Sequence, residues 1–327
     1  MDNTQTSGVV SLESLYNEKI EPHLVELKGQ RGKFQQEIFR MVLSVLALVV
    51  FILLFNQSGS GLFLVPVIGV IALIIVFGIR ANQKMKLYRT AFKEKVVARI
   101  VKTINPEWLY HADGMISESV YRTSDIFRRS YDKYRGDDLV RGTLDKTDFE
   151  CSELHTQYRE VTTDSKGRTR TRWVTIFKGL FFHADFNKEF HGRTYVSPDF
   201  AERFLGRIGR KFQKISGPAP LVVLENVEFE KEFVVHATDQ IEARYILTPT
   251  IMEAMLNIRK NYNCNVHFSF IGSRVYCALS IRKNLFEPKL FGSIVDLHEI
   301  ENMYHLFRVN EVIIHELNLN TRIWTKD

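Results

Sequence analysis

Met41–Phe55 reads MVLSVLALVVFILLF and Leu62–Ile79 reads LFLVPVIGVIALIIVFGI, fifteen and eighteen residues without a charge. Between them lies Asn56-Gln57-Ser58-Gly59-Ser60-Gly61, a short linker of turn-forming residues. At about 1.5 Å per residue, the second run covers roughly 27 Å, close to the bilayer hydrocarbon thickness of about 30 Å. The first run reaches that length when Ile38 and Phe39 join it and Arg40 snorkels back to the headgroups. Pro66 falls near the start of the second run, where a missing backbone donor costs least. The competing readings are a buried helical hairpin of a soluble core and a removable signal peptide. Forty mostly polar residues precede the first run and no small-residue cleavage site follows it, which argues against a signal. A two-pass membrane hairpin is therefore expected.

Its flanks set an orientation. Lys28, Arg31, Lys33 and Arg40 precede the hairpin; Arg80, Lys84, Lys86, Arg89, Lys93, Lys95 and Arg99 follow it; the linker has no basic residue. The positive-inside rule then places both termini in the cytoplasm and only the linker outside. Among 327 residues, 45% are apolar, 25% charged and 12% aromatic, with a net charge of +6. That composition excludes a disordered tail, a collagen and a coiled-coil rod. Cys151, Cys264 and Cys277 are too few for a disulfide scaffold or a four-thiolate zinc site, and suit a reducing compartment.

The expected organisation is a cytoplasmic segment 1–40, the transmembrane hairpin 41–79, a stalk helix 80–106 and a cytoplasmic α+β domain 107–327. In 1–40, Leu12, Leu15, Leu24 and Leu27 are candidate contacts and Pro22 a break. Asn105-Pro106 stops the stalk. From Trp108 to about Val196 the chain reads as strands. Phe149–Val161 leads into a turn at Thr162–Gly167, and the return run Arg172–Phe186 is apolar on both parities, as a strand covered on both faces would be. Ser197-Pro198-Asp199 has the form of an N-cap, a first-turn Pro and a first-turn acid opening a basic amphipathic helix to Ile215. A sub-boundary is expected at 216–220. Beyond it, strands are expected at Leu221–Phe229, Phe233–Ala237 and Ala243–Leu247, with a helix from Thr248-Pro249. A two-residue turn at Gly272-Ser273 sets Phe270 opposite Val275, Phe268 opposite Cys277 and Val266 opposite Leu279. A last helix from Ser293 to about Phe307 and a strand at Val309–Leu317 close the chain. Grouped strands with helices between them give an α+β class: a transmembrane helical hairpin followed by a mixed, mainly antiparallel domain.

Chemistry is sparse. His298, Glu301 and His305 fall at i, i+3 and i+7 of the expected last helix, a spacing that allows a zinc or iron site; the plainer reading is a solvated polar face. His183 and Asp185 share a strand face as a possible base and its orienting carboxylate. No GxSxG elbow, phosphate loop or GxGxxG fingerprint is present. Glu150 and Glu153 beside Cys151 disfavour its thiolate, and Cys277 reads as a small core residue. Lys166, Arg168, Arg170 and Arg172 crowd one hairpin tip, while Arg122, Arg128, Arg129, Lys133 and Arg135 interleave with Tyr121, Phe127, Tyr131 and Tyr134. Such patterns bind nucleic acid in other settings, but the nearer anionic partner of a tethered domain is the inner leaflet. Arg203, Arg207 and Lys211 of the amphipathic helix would extend the same anionic-lipid surface.

The stretch Phe233–Pro249 (FVVHATDQIEARYILTP) and Asn284-Leu285-Phe286-Glu287, with the N-terminal hairpin, resemble an uncharacterised family of bacterial two-pass membrane proteins, a domain of unknown function. The resemblance covers most of the chain and is strongest at 221–290. It implies no activity and no cofactor, and it suggests a LemA-type membrane protein as a partner. Within the motif, Asp239 and Arg244 bracket a turn and could pair, and Asp239, Arg244 and Glu287 are expected to be structural. The functional expectation is a membrane-anchored interaction or scaffold protein binding a protein partner or anionic lipid. Its alternative is a membrane-tethered metal-dependent enzyme.

Overall fold

The computed structural model describes residues 12–58, 61–186, 189–199, 218–317 and 319. They form two compact units, one made of the described residues up to Thr103 with Phe286–Tyr304, the other of Ile104–Leu285 with the described residues from His305 onward. The expected N-terminal and stalk segments belong to unbroken helices. A π-helical turn Leu15–Ile20 runs into α1, Glu21–Ser58; a 3-10 turn Gly61–Phe63 opens α2, Leu64–Phe92; a second π-turn Lys93–Val97 joins it to α3, Ala98–Ile104. Pro22 does not break the first helix: the backbone widens to a π-turn just ahead of it instead of stopping.

These two helical runs, Leu12–Gln57 and Gly61–Ile104, are long and apolar enough to cross a membrane. Their surfaces change character part-way. Leu12, Leu15, Ile20, Leu24, Leu27 and Phe34 of the first run, and Tyr88, Phe92, Val96, Val97, Ile100 and Val101 of the second, are buried. Lys95 Nζ pairs with Glu26, and Arg99 Nη2 meets the His23 ring 2.9 Å away, as antiparallel neighbours would. Beyond Glu37 and before Ala81 the pattern inverts: Leu43, Leu46, Leu53, Val65, Ile68 and Ile75 are all exposed. The most apolar windows are 0% and 6% buried.

The second unit is built on a sheet, nine-stranded among the described residues and antiparallel at every pairing, in the order β1-β2-β3-β4-β9-β8-β5-β7-β6. The strands are β1 Leu109–His111, β2 Lys133–Leu144, β3 Thr147–Thr163, β4 Thr169–Asp185, β5 Arg193–Pro198, β6 Leu221–Val222, β7 Phe233–Ala237, β8 Asn265–Ile271 and β9 Arg274–Ser280. The remaining helices are α4 Glu118–Thr123, α5 Val227–Glu232, α6 Gln240–Ile246, α7 Pro249–Tyr262 and α8 Leu297–Glu316. The Gly272-Ser273 turn has the expected register, Phe270 opposite Val275, Phe268 opposite Cys277 and Val266 opposite Leu279, with Gly272 at φ +60°. Leu180, Phe181 and Phe182 are all buried, so the second half of β4 is covered on both faces, whereas Trp173 near its start is 40% exposed. Thr248 caps α7 through Ile251 N, with Pro249 in its first turn.

Four expectations are corrected. Ala243–Ile246 is helical within α6 and Leu247 is its C-cap, because Asp239 accepts from Ile241 N and Glu242 N and nucleates that turn. Most of Val309–Leu317 continues α8, where burial of Val309, Ile313 and Ile314 along one side outweighs their β preference. Ser197 and Pro198 lie in β5 opposite Val234 and Phe233 rather than opening a helix. Leu221–Phe229 splits into the two-residue β6 and α5, capped by Asn226 accepting from Phe229 N. Asp199 N donates to Glu232 O, and the amphipathic stretch that follows lies outside the described residues.

Phe268 is 1% exposed on the covered face of β8. Phe268→Ala is expected to cost the sheet unit about 3–5 kcal/mol, read as the denaturation midpoint of the purified full-length chain.

Candidate functional site

Four strands of the sheet unit assemble one charged cleft. Arg141 on β2 stands opposite Glu150 on β3, and Glu150 opposite His183 on β4. Arg141 Nε reaches Glu150 Oε1 at 2.7 Å, and His183 Nε2 lies 3.3 Å from Glu150 Oε2. Arg274 Nη1 on β9 lies 3.0 Å from His183 Nδ1. A guanidinium only donates, so Nδ1 accepts and the proton sits on Nε2, where it is donated to Glu150. The cleft around this relay measures about 900 Å³ and includes Ser117, Asp148 and Asp185 in its lining. The carboxylate facing His183 is thus Glu150, a cross-strand neighbour, and not Asp185 two residues along. With Nδ1 engaged by Arg274, both ring nitrogens are occupied, and the arrangement is a hydrogen-bonded chain across β2, β3, β4 and β9 that contains one ion pair, Arg141–Glu150.

The expected basic tip is a projecting ribbon. β2 pairs with β3 only as far as Gln157, so Tyr158–Thr163 pairs with β4 alone. Asp164 Oδ1 accepts from the backbone of Lys166 and Arg168, and Gly167 supplies φ +76°, which closes the turn. Residues 161–173 are exposed throughout. The side chains of Lys166, Arg168 and Arg170 have no partner among the described residues, while Arg172 Nη2 pairs loosely with Glu160 at 3.3 Å and is 74% exposed. At the ribbon's base Lys133 Nζ lies 3.4 Å from the Trp173 ring centre and the Arg129 guanidinium 3.4 Å from that of Tyr158. The interleaved aromatics behave differently. Tyr121 is buried and packs over Phe177 and Phe181, and Phe127, Tyr131 and Tyr134 lie half-buried against the same cluster. Arg203, Arg207 and Lys211 lie outside the described residues.

His298 is 81% exposed, with Nδ1 3.8 Å from Glu301 Oε2, and His305 lends its carbonyl to Tyr262 Oη. Among the described residues, metal-ligand atoms converge within 4.8 Å in a different group, Asp137, Asp138 and Glu153. Tyr110 Oη donates to Asp138 and Leu285 N to Glu153 Oε2, so two of those carboxylates anchor the fold. Burial pushes the Cys151 thiol up to about 12 and Cys264 to about 11, and raises Cys277 well above its ordinary value.

Of the motif residues, Asp239 caps α6, and Arg244 donates to Gln240 O at 3.4 Å rather than pairing with Asp239. In the helical unit Glu287 faces Arg89 Nε at 3.0 Å and Lys93 Nζ at 3.6 Å, the Lys93 side chain being only 5% exposed. Arg31, which the sequence marks only as a basic flank, and Gln35 and Tyr88, which no local pattern marks, hold carbonyls of the same segment as Glu287.

Residues 175–319 match the family model described as Protein of unknown function (DUF3137). No curated protein matches the chain. Among solved structures, the crystal structure of the mycobacterial trehalose monomycolate transport factor A, TtfA, is 10% identical and covers 65% of this chain and 95% of that one, with a TM-score of 0.31. That likeness is too low to bear on fold or role.

The Glu150 carboxyl is held below its ordinary 4.5 mainly by the hydrogen bond from His183, with Arg141 adding to it against the cost of burial. A depressed carboxylate stabilises the fold fully above about pH 4.5 and loses that contribution as pH falls through its folded value. Glu150→Gln is therefore expected to lower stability at neutral pH and to flatten its decline below that pH, measured by denaturation across an acid series.

Proposed function

We propose that this chain is a two-pass, membrane-anchored interaction protein of the bacterial inner membrane, with both ends cytoplasmic. Its sheet unit presents the β3–β4 ribbon to anionic headgroups. One observation carries the anchor: the apolar surface of both helices turns from inward to outward at Glu37 and Ala81, beside the basic flanks at Arg40 and Arg80. Fully burying one large apolar side chain is worth about 1.5–3 kcal/mol, so a score of them facing water would be untenable, and hydrocarbon is the solvent they fit. The core helix of a soluble protein would be mostly covered, and these windows are not.

The ribbon supports the second half of the reading. Among the described residues its cations have no ion pair to give up on meeting an anionic surface, apart from the loose one of Arg172. Near such a surface each contributes about 1 kcal/mol, reduced by salt.

The test uses the full-length chain in liposomes with a donor dye at Ser165→Cys and an acceptor on the lipid headgroups. Energy transfer is expected with anionic lipid at low salt, and it should fall at high salt and when Lys166, Arg168, Arg170 and Arg172 are all Ser. Equal transfer in neutral liposomes, or no change in the quadruple variant, refutes the role given to the ribbon.

A further inference from the structure

Glu287–Ser293 (EPKLFGS) is fastened to the long helices by contacts that follow them in order. Glu287 holds Arg89 and Lys93. The Lys289 carbonyl accepts from Tyr88 Oη at 3.0 Å, the Leu290 carbonyl from Gln35 Nε2 at 2.8 Å, and the Gly292 carbonyl from Arg31 Nη1 at 2.7 Å. The segment thus advances toward the apolar halves of the helices as far as Gln35 and then turns back, with Gly292 at φ +81°. Side chains on either side of the turn are sequestered, Phe286 at 0% and Ile294 and Val295 at 4% exposure. Phe291, at the turn itself, is 68% exposed.

A large aromatic ring on a turn pinned through three carbonyls has little freedom to fold back. Its height along the helices decides what it meets. Gln35 lies three residues before Ile38 and six before Met41, so the turn sits roughly 5–9 Å short of the hydrocarbon edge at 1.5 Å per residue. That is about the depth of the headgroup zone on one side of a bilayer. Aromatic rings with basic neighbours are the composition favoured there, and Lys33, Arg40 and Lys84 share this level of the helices.

We infer that the Leu290–Gly292 turn is an interfacial foot, with Phe291 set among the headgroups of the leaflet that both helices enter. The inference rests on the membrane-anchor reading. The lipid bilayer is its partner because the exposed ring is pinned to the same two helices, about one headgroup depth short of the apolar surface assigned to hydrocarbon. The foot gives Glu287 a purpose: by pairing with the nearly buried Lys93 ammonium it fixes the start of the turn at a set height.

Three full-length variants, Phe291→Cys, Ile71→Cys and Val25→Cys, each in a Cys264→Ser background, would carry a nitroxide label in phosphatidylethanolamine–phosphatidylglycerol liposomes. Cys151 and Cys277 are buried and free of the label. Accessibility to oxygen and to a polar nickel chelate reports depth. Position 71 is expected to favour oxygen, the exposed position 25 to favour nickel, and position 291 to be shielded from nickel severalfold relative to 25. Nickel access at 291 equal to that at 25, with 71 in hydrocarbon, overturns the foot and leaves the anchor standing. Shielding of 291 from both reagents also overturns it, since protein rather than lipid would then cover the ring. Nickel access at 71 as well would remove the anchor and the foot together.

Discussion

Apolar surface without a protein partner has to find an apolar solvent, and in this chain that requirement falls on two adjacent helical stretches. Below Glu37 and beyond Ala81 the helices satisfy it with each other, through Leu15, Leu27, Tyr88, Phe92 and Val96. Between those points they do not, and the large side chains face outward. The change comes where the charges stop, at Arg40 and Arg80. On the anchor proposed above, a single pair of helices obeys two solvents in succession, and that proposal depends on the inversion.

Charge placement elaborates the same constraint. A nearly buried ammonium such as Lys93 is costly unless an anion stands against it, and Glu287 supplies the anion from a segment far away in sequence. This ties Phe286–Tyr304 to the helices, although the chain between Ile104 and Leu285 folds as a sheet unit of its own. In the sheet unit, Arg141 pairs with Glu150 across strands and His183 links that pair to Arg274, whereas Lys166, Arg168 and Arg170 of the ribbon have no partner among the described residues. Charges that are paired hold structure together, and those left unpaired are available to a partner.

How much of this the sequence reveals depends on the range of the interaction. The β8–β9 hairpin is legible because a period of two and a two-residue turn fix it locally, and the β3–β4 turn because Asp164 and Gly167 are local signals. The α6 region misleads because Ala243–Leu247 is short and apolar enough for either structure, while the deciding cap, Asp239, was read as an ion-pair partner. The end of α8 misleads because Val312-Ile313-Ile314 favours strands, and only packing overrules it. The cleft is partly legible: His183 stands out, but its carboxylate comes from the facing strand. The clamp on the 286–293 segment is illegible, since its hydrogen bonds join residues 255 and 261 positions apart.

The most direct measurement is labelling of intact cells with a membrane-impermeant thiol reagent, comparing Gln57→Cys in the linker with Ser165→Cys in the ribbon, both in a Cys264→Ser background. The account predicts labelling at 57 once the reagent passes the outer envelope, and labelling at 165 only after the inner membrane is opened. Labelling at 165 in intact cells, with 57 protected, would contradict it.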